Sequence, residues 1–355
     1  MFSDKIIECL KAPGRADDTD IEVAGESLRC RQTGETYPFI CGVPSLYHPM
    51  EGEGTEITSR VRSFYEEYPF PNYDGIEDFG ELVNKGHRNL FSANLLRAIG
   101  WNKRILECGC GTGQLSHYLQ LNNNHVLGID MSLSSLALAI GHKHGNRLAR
   151  SSFAQMNIFE LAVKDASFDV VIAHGVLHHT FDAREAFARI VRKVKPGGMV
   201  IVGLYNYFAR VPTWLRSKMI GVLGPQIDYV VRKRIRDARK ADIWIRDQYF
   251  NPHETWHTLD EVLEWFNENG IEFLNCSPPV LDTAGEMTED LFAAVEPGTR
   301  FQRVITQLTW LASIAREGGL FDVIGRRRNG LPAGCSDMRE MSDAMKHGSA
   351  RHNEA

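Results

Sequence analysis

The stretch Arg104–Gln114, RILECGCGTGQ, constrains this chain more than any other. Ile105 and Leu106 read as the apolar end of a buried strand, and Glu107 is an acid at its carboxyl end. Gly109, Gly111 and Gly113 alternate through the turn that follows. Leu115, Tyr118 and Leu119 then recur at helical spacing, which predicts a helix over Leu115–Leu121. Glycine suits such a turn because a backbone without a side chain takes positive φ and lets a ligand reach the main chain. The helix start beyond it offers free N–H groups to that ligand.

Spacing narrows the ligand. A dinucleotide fingerprint needs G-x-G-x-x-G/A, but counting from Gly109 the last slot is Gln114, and from Gly111 it is Ser116. The pattern present, E-x-G-x-G-x-G, resembles the first motif of the class I S-adenosylmethionine-dependent methyltransferases. The resemblance implies that Glu107, Gly109, Cys110, Gly111 and Gly113 line the methionine part of S-adenosylmethionine, with the acid positioning its ammonium. It also makes His125–Asp130 a second strand whose closing acid, Asp130 beside Met131, accepts both ribose hydroxyls, as a carboxylate can. The other reading of Asp130 is a helix N-cap, because a helix over Ser132–Gly145 follows. Ser151–Asn157 is a third strand, and Asn157-Ile158 matches the family's adenine-reading position. Phe168–Ala173, FDVVIA, is a wholly apolar fourth strand of the kind buried on both faces. Topology puts His174, at its carboxyl end, near the cofactor. FDVV, VLHH and KPGG together resemble the quinone-biosynthesis-like small-molecule methyltransferases over roughly Arg104–Asn206. The implied fold class is α/β: a doubly wound, Rossmann-like methyltransferase sheet, seven-stranded and mostly parallel, with a small N-terminal module and helical lid insertions.

The flanks divide accordingly. Residues 1–50 are turn-rich, and SLRCRQTGETYPFICGVPSLYHP resembles the second half of a zinc-ribbon-like domain found with methyltransferases. Cys9, Cys30 and Cys41 do not form the two C-x-x-C pairs of a structural zinc site, so a metal-free remnant is expected. Residues 51–100 are a linker, then the aromatic run Phe64, Tyr65, Tyr68, Phe70 and Tyr73 broken by Pro69 and Pro71, then a helix over Lys85–Ala98. Residues 101–206 are the cofactor-binding core. Residues 207–257 are a lid insertion with an apolar stretch, VPTWLRSKMIGVLGP, and a basic one in which Val230, Val231, Ile235 and Ala238 keep helical spacing. Residues 258–328 complete the core: a helix from Thr258, where Thr258 and Glu261 spell a capping box, a strand at Ile271–Asn275, an inserted helix over Phe301–Ala315 and a closing strand at Gly319–Arg326. Residues 329–355 are polar and expected to be disordered.

His253–His257 spells H-E-x-x-H, but Pro252 precedes it and the capping box starts the helix after the second histidine. The zincin chemistry needs both histidines on one helix turn, so no metal is expected here. His178, His253, His257 and Tyr205 are instead candidates for chemistry on the acceptor, and Tyr65, Tyr68 and Glu254 for its pocket. The expected activity is methyl transfer to a small or amphipathic acceptor such as a lipid, a quinone precursor or an aromatic metabolite. Two alternatives stand beside it. One is an RNA methyltransferase using the basic 230–240 helix; the other is a cofactor-binding scaffold activated by a partner. The net charge of −5 argues against non-specific nucleic-acid coating, so a small molecule is the expected partner. The insertion fits peripheral membrane contact, and the N-terminal module fits a homodimer surface. With no signal peptide, no long apolar run and seven cysteines without a disulfide-like pattern, a cytoplasmic protein is expected.

Overall fold

The structure, a computed structural model, describes residues 2–73, 75–233, 235, 237–280 and 290–329. The polar tail expected from 329 lies, from 330 on, outside the described residues. Four short strands come first: β1 (Ile21–Ala24), β2 (Ser27–Cys30), β3 (Thr36–Ile40) and β4 (Val43–Pro44), an antiparallel meander in sequence order. Seven more build the main sheet: β5 (Arg104–Cys108), β6 (His125–Asp130), β7 (Ser151–Gln155), β8 (Phe168–His174), β9 (Val194–Tyr205), β10 (Ile271–Ser277) and β11 (Leu320–Arg327). Their spatial order is β7-β6-β5-β8-β9-β11-β10, with the first five parallel and β11 antiparallel to both neighbours.

This doubly wound, mostly parallel sheet is the fold expected. Alternate residues of the central strands feed different cores, as a period of two requires. Leu106, Leu127, Val171 and Val200 pack on one face, and Ile105, Val126, Val170, Ile172 and Ile201 on the other. The chain leaves β5 through β6 and β7, then crosses back to β8 on the opposite side of β5. A ligand crevice opens at the carboxyl ends of such diverging strands.

The N-terminal module docks on the β7 edge. Leu46 N donates to Gln155 O at 3.0 Å, and Ser45 Oγ donates to Gln155 Oε1 at 2.8 Å. An edge strand that would otherwise be open is thereby covered. Cys9 and Cys30 are buried, Cys41 is exposed, and the Arg104 guanidinium lies 3.4 Å from Cys9 Sγ. Among the described residues no cluster of three or more His, Cys, Asp or Glu side chains could hold a metal ion.

Two expected helices are broken, each by a side chain that caps. The helix expected over Lys85–Ala98 is two, Phe79–Arg88 and Leu90–Ile99, because Asn89 ends the first and its Oδ1 accepts from Ser92 N at 2.9 Å to start the second. The basic helix expected through 230–240 is likewise Tyr229–Lys233 and then Ala238–Tyr249. Asp237 caps the latter by accepting from Lys240 N at 2.9 Å. Among the described residues the basic stretch is thus carried by two separate helices. The expected capping box at Thr258 and Glu261 is present and starts the helix Leu259–Glu268. A second box, Thr299 with Gln302, starts Arg300–Ser313.

The aromatic run forms a strap across the glycine turn. Thr112 Oγ1 donates to Pro71 O, Gln114 Nε2 donates to Asn72 O at 2.7 Å, and Tyr73 OH donates to Thr112 O at 2.8 Å. Just upstream, the helix Thr55–Glu67 ends on the Glu66 carboxylate, which accepts from Leu133 N at 2.8 Å and Ser134 N at 2.9 Å. An anion on the first N–H groups of the helix Leu133–Gly145 is favoured by its dipole. These amides outweigh the burial that opposes ionisation and hold Glu66 below the usual carboxylate range.

The strap depends on Gly111. Its φ is +52°, and a Cβ there would lie 2.1 Å from the Phe70 carbonyl oxygen. Gly111→Ala is expected to free the strap, so limited proteolysis should cut within residues 64–73 several-fold faster than in the wild type. Gly141→Ala, mid-helix with nothing within 4 Å of the added carbon, should leave that rate unchanged and add about 0.5–1 kcal/mol of stability.

Candidate active site

The carboxyl ends of β5, β6 and β8 open into a cavity of about 520 Å³, within the usual range for small-molecule sites. Of the residues expected to bind cofactor, Glu107, Gly109, Cys110, Gly111, Asp130, Met131, Asn157, Ile158 and His174 line it; Gly113 does not. Gly113 sits behind the turn, where a Cβ would strike Phe153 at 2.6 Å and Ala139 at 2.9 Å. It permits packing of the turn on β7 and the helix Leu133–Gly145 rather than contact with a ligand.

Two buried acids stand at the strand ends. Glu107 accepts a hydrogen bond from Ser116 Oγ. Burial pushes its carboxyl up to about 7, partly offset by Ser116 and His174. Asp130 accepts from Gly111 N at 2.8 Å through one oxygen and from Ser132 N at 2.9 Å through the other. Burial raises it too, against those amides. The N-cap of the helix Leu133–Gly145 is Ser132, not Asp130. Asn157 Oδ1 accepts from Phe159 N at 3.1 Å, whereas its buried Nδ2 has no hydrogen-bond partner among the described residues. A buried amide without an acceptor is costly, and this one lines the cavity.

His174 carries a partner that sequence spacing does not show. Its Nδ1 lies 2.7 Å from Oδ1 of Asp322, on β11, so that nitrogen donates and Nε2 is left over. The Phe91 ring stacks on the imidazole, with centroids 4.7 Å apart and planes 17° from parallel. Burial lowers the affinity of His174 for a proton, but Asp322 and Glu107 more than reverse this and raise its pKa. Gly203 makes room for the pair: a Cβ there would come within 2.6 Å of Asp322 Oδ1 and 2.8 Å of His174 Nδ1.

The remaining wall comes from the helix Thr55–Glu67, the segments at the carboxyl ends of β8 and β9, and the insertion. Tyr65, His179, Tyr205, Trp244, Asp247 and Gln248 line it. Tyr65 OH donates to Asp247 Oδ1 at 3.0 Å and accepts from Asn251 Nδ2 at 2.9 Å, tying the helix Thr55–Glu67 to Ala238–Tyr249. Trp244 Nε1 is a second buried donor with no partner among the described residues.

Behind Tyr205 lies a polar knot that closes this wall. Arg210 is 0% exposed and its guanidinium sits 3.7 Å from the Tyr205 ring centroid. It donates to Glu254 (3.2 and 2.5 Å), to the side-chain and main-chain oxygens of Gln248 (both 2.8 Å) and to Gly318 O (3.0 Å). All five donors are used, the condition under which a buried guanidinium is tolerable.

This arrangement assigns places to the other candidates. Tyr65 and Tyr205 face the cavity; Tyr68, His178, His253, Glu254 and His257 do not line it. Glu254 is held by Arg210 and by Trp256 Nε1 at 2.8 Å. His257 bridges Thr255 Oγ1 (2.7 Å) and Glu261 (3.0 Å), bracing the helix start. His253 gives its carbonyl oxygen to His179 Nδ1 at 2.8 Å. His178 stacks on Tyr205 at 3.8 Å, and its Nε2 is 3.1 Å from that of His179. Since His179 Nδ1 donates to a carbonyl, the network assigns the proton in that contact to His178. Burial holds both rings below the usual histidine range, so both are neutral near pH 7. Tyr68 lies outside, hydrogen-bonded to Glu67 and under the Arg246 guanidinium. Asp322, Arg210, Asp247, Gln248 and Trp244 carried no motif, so sequence reading missed them.

A family model described as a methyltransferase domain matches residues 99–270. An uncharacterised protein of Synechococcus sp. is 25% identical over 287 residues, 70% of this chain and 68% of that protein. The ubiquinone biosynthesis O-methyltransferase of Cronobacter sakazakii is 30% identical over 175 residues. That alignment spans 48% of this chain and 63% of the enzyme, under two thirds of its length. Among solved structures, Haemonchus contortus phosphoethanolamine N-methyltransferase 2 in complex with S-adenosyl-L-methionine matches at 18% identity and TM-score 0.43, covering 76% of this chain and 60% of that one. Glycine turn, strand-end acids and family match agree: residues 99–270 carry a methyltransferase domain of the S-adenosylmethionine-dependent kind.

Proposed function

We propose that the protein transfers the methyl group of S-adenosylmethionine to a small or amphipathic acceptor held between the strand ends and the lid. One observation carries this reading. One cavity is lined by Glu107, Asp130 and the Asn157 amide, whose Nδ2 has no partner among the described residues, on one side, and by Tyr65, His179, Tyr205 and Trp244 on the other. The sheet-side groups fit the cofactor chemically. Glu107 is an anion for its ammonium, Asp130 an acceptor for two ribose hydroxyls, and Asn157 Nδ2 a donor for a ring nitrogen of adenine.

When bound, the cofactor supplies an electrophilic methyl on a sulfonium. The protein's part is to hold the acceptor atom in line and to exclude water, which shapes most of the barrier in such displacements. The strap and the insertion close the site through Tyr65, Asp247 and Asn251. Where the acceptor must first lose a proton, His174 is the group we propose to take it. Its Nδ1 is fixed on Asp322, and the raised pKa lets Nε2 hold the proton once taken.

The test of the cofactor assignment is a calorimetric titration. S-adenosylmethionine and S-adenosylhomocysteine should bind one-to-one and NADH should not. Asp130→Ala should weaken both by about 1.5–3 kcal/mol, the range for hydrogen bonds to a charged group. Unchanged affinity in a folded variant would remove the ribose role.

Glu107 sets the pH dependence. Its carboxyl is neutral below about pH 7, and only the ionised form pairs with an ammonium. Affinity for S-adenosylmethionine should therefore fall as pH drops below 7, approaching tenfold per unit, with proton release on binding. Titrations at pH 6, 7 and 8 measure this, and Glu107→Gln should flatten the profile.

His174 is checked by NMR of its imidazole. Its titration midpoint should lie above the ordinary 6.5 in the wild type. In Asp322→Asn, where burial acts with less opposition, it should fall; a midpoint that did not move would separate Asp322 from the proton.

A further inference from the structure

Two lid helices are built inside out. In Tyr207–Leu223 the buried residues include Arg210 and Thr213, and in Arg300–Ser313 they include Thr306 and Gln307. Ala209, Ile220 and Trp310 are buried with them, but most of the large apolar residues are on the outside. Tyr207, Trp214, Leu215, Met219, Val222 and Leu223 are exposed on the first helix, and Phe301, Ile305, Leu308 and Leu311 on the second. Of the fifteen exposed large apolar side chains among the described residues, ten lie on these two helices, with Val222 87% and Phe301 74% exposed. Tyr207, Val211, Trp214, Leu215, Lys218 and Val222 follow helical spacing and so form one stripe. Phe301, Ile305 and Leu308 form another, and the two helices pack side by side. A contiguous apolar face of this kind marks a docking surface.

The charge around it selects the occupant. Residues 207–233 and 300–317 together carry eight Arg or Lys and two acids, Asp228 and Glu317, in a chain whose net charge is −5. Asp228 is buried, accepting from Tyr249 OH at 2.6 Å and Val231 N at 2.8 Å. Glu317 lines the active-site cavity. The nearby Asp260 is paired with Arg303 at 2.6 Å. Lys218, Arg232, Lys233, Arg300 and Arg316 are exposed. A second copy of this face would bring like charges together, whereas an anionic bilayer would neutralise them while accepting the Trp, Tyr and aliphatic side chains.

We propose that the outer face of the helices Tyr207–Leu223 and Arg300–Ser313 docks on an anionic lipid surface. The proposal does not depend on which acceptor is methylated. It has a consequence for access, because Arg210, which braces Tyr205 at the cavity wall, rides on the first of these helices, and the cavity-lining Glu317 and Leu320 follow the second. The docked face and the cavity wall are parts of the same lid.

The test is co-sedimentation of the full chain with vesicles of phosphatidylcholine alone or with about one third phosphatidylglycerol. Binding is expected to the anionic vesicles, falling with added salt, with Trp fluorescence shifted to the blue. Val222→Glu and Lys218→Glu should each lower the bound fraction at least about tenfold in partition coefficient, while S-adenosylhomocysteine binding by calorimetry stays at the wild-type value. That second readout separates loss of docking from loss of fold or cofactor site. No binding to anionic vesicles, or binding that Val222→Glu leaves unchanged, would overturn the proposal. So would a wild-type dimer in sedimentation analysis that Val222→Glu dissolves, since the face would then join two copies.

Discussion

The site rests on one constraint: two backbone segments must pass closer together than any side chain allows. At Gly111 the main chain meets the carbonyl of Phe70 on one side and gives its N–H to Asp130 on the other. The first contact seats the aromatic strap, and the second fixes the acid at the end of β6 relative to the turn after β5. Remove the space and both walls of the cavity lose their relation. The positive φ at Gly109, Gly111 and Gly113 follows from the same demand, since the turn must double back within a few residues.

Around that turn, buried charge is managed by opposite means on the two sides. On the sheet side Glu107 and Asp130 form no salt bridge among the described residues, and burial raises both, with His174 offsetting part of the effect on Glu107. That imbalance is what a cationic ligand with hydroxyls would relieve. On the lid side the charges are already matched. Arg210 spends every donor on Glu254, Gln248 and Gly318, and Asp247 is held by Tyr65 and Gln248. One wall is poised for a ligand, and the other is a self-contained brace. This explains why H-E-x-x-H is structural here. Its glutamate is consumed by the brace, and its second histidine by the helix cap at Glu261.

The lid also accounts for the polarity of the insertion. Its inner face must satisfy Arg210 and the Asn206 and Gln307 amides, which bond at 2.9 Å, so polar residues point inward. The apolar ones are then left outside, where a lipid surface would complete them. A sheet-covering helix would show the reverse pattern.

Much of the core was legible in the chain because its signals are local. The apolar runs at β5, β6 and β8, the acid closing β5 and β6, the alternating glycines and the Thr258–Glu261 box all act within a few residues. Asn89 and Asp237 carry cap chemistry in the sequence, but helical spacing continues across 230–240 and the resemblance implies one helix over Lys85–Ala98, so two continuous helices are expected where the structure has four. The functional wall was not legible, for a physical reason. His174 and Asp322 are 148 residues apart, Tyr65 and Asp247 are 182, and Arg210 and Gly318 are 108. Which of several histidines faces the cavity is settled by burial and by these long-range partners, not by any motif. The sequence by itself determined the strands, the turn and the strand-end acids, because backbone geometry and strand-end chemistry demand them. Only the tertiary structure decided that His174 is paired and faces the cavity while His178, His253 and His257 are not at its surface, because that depends on which distant segments close over the sheet.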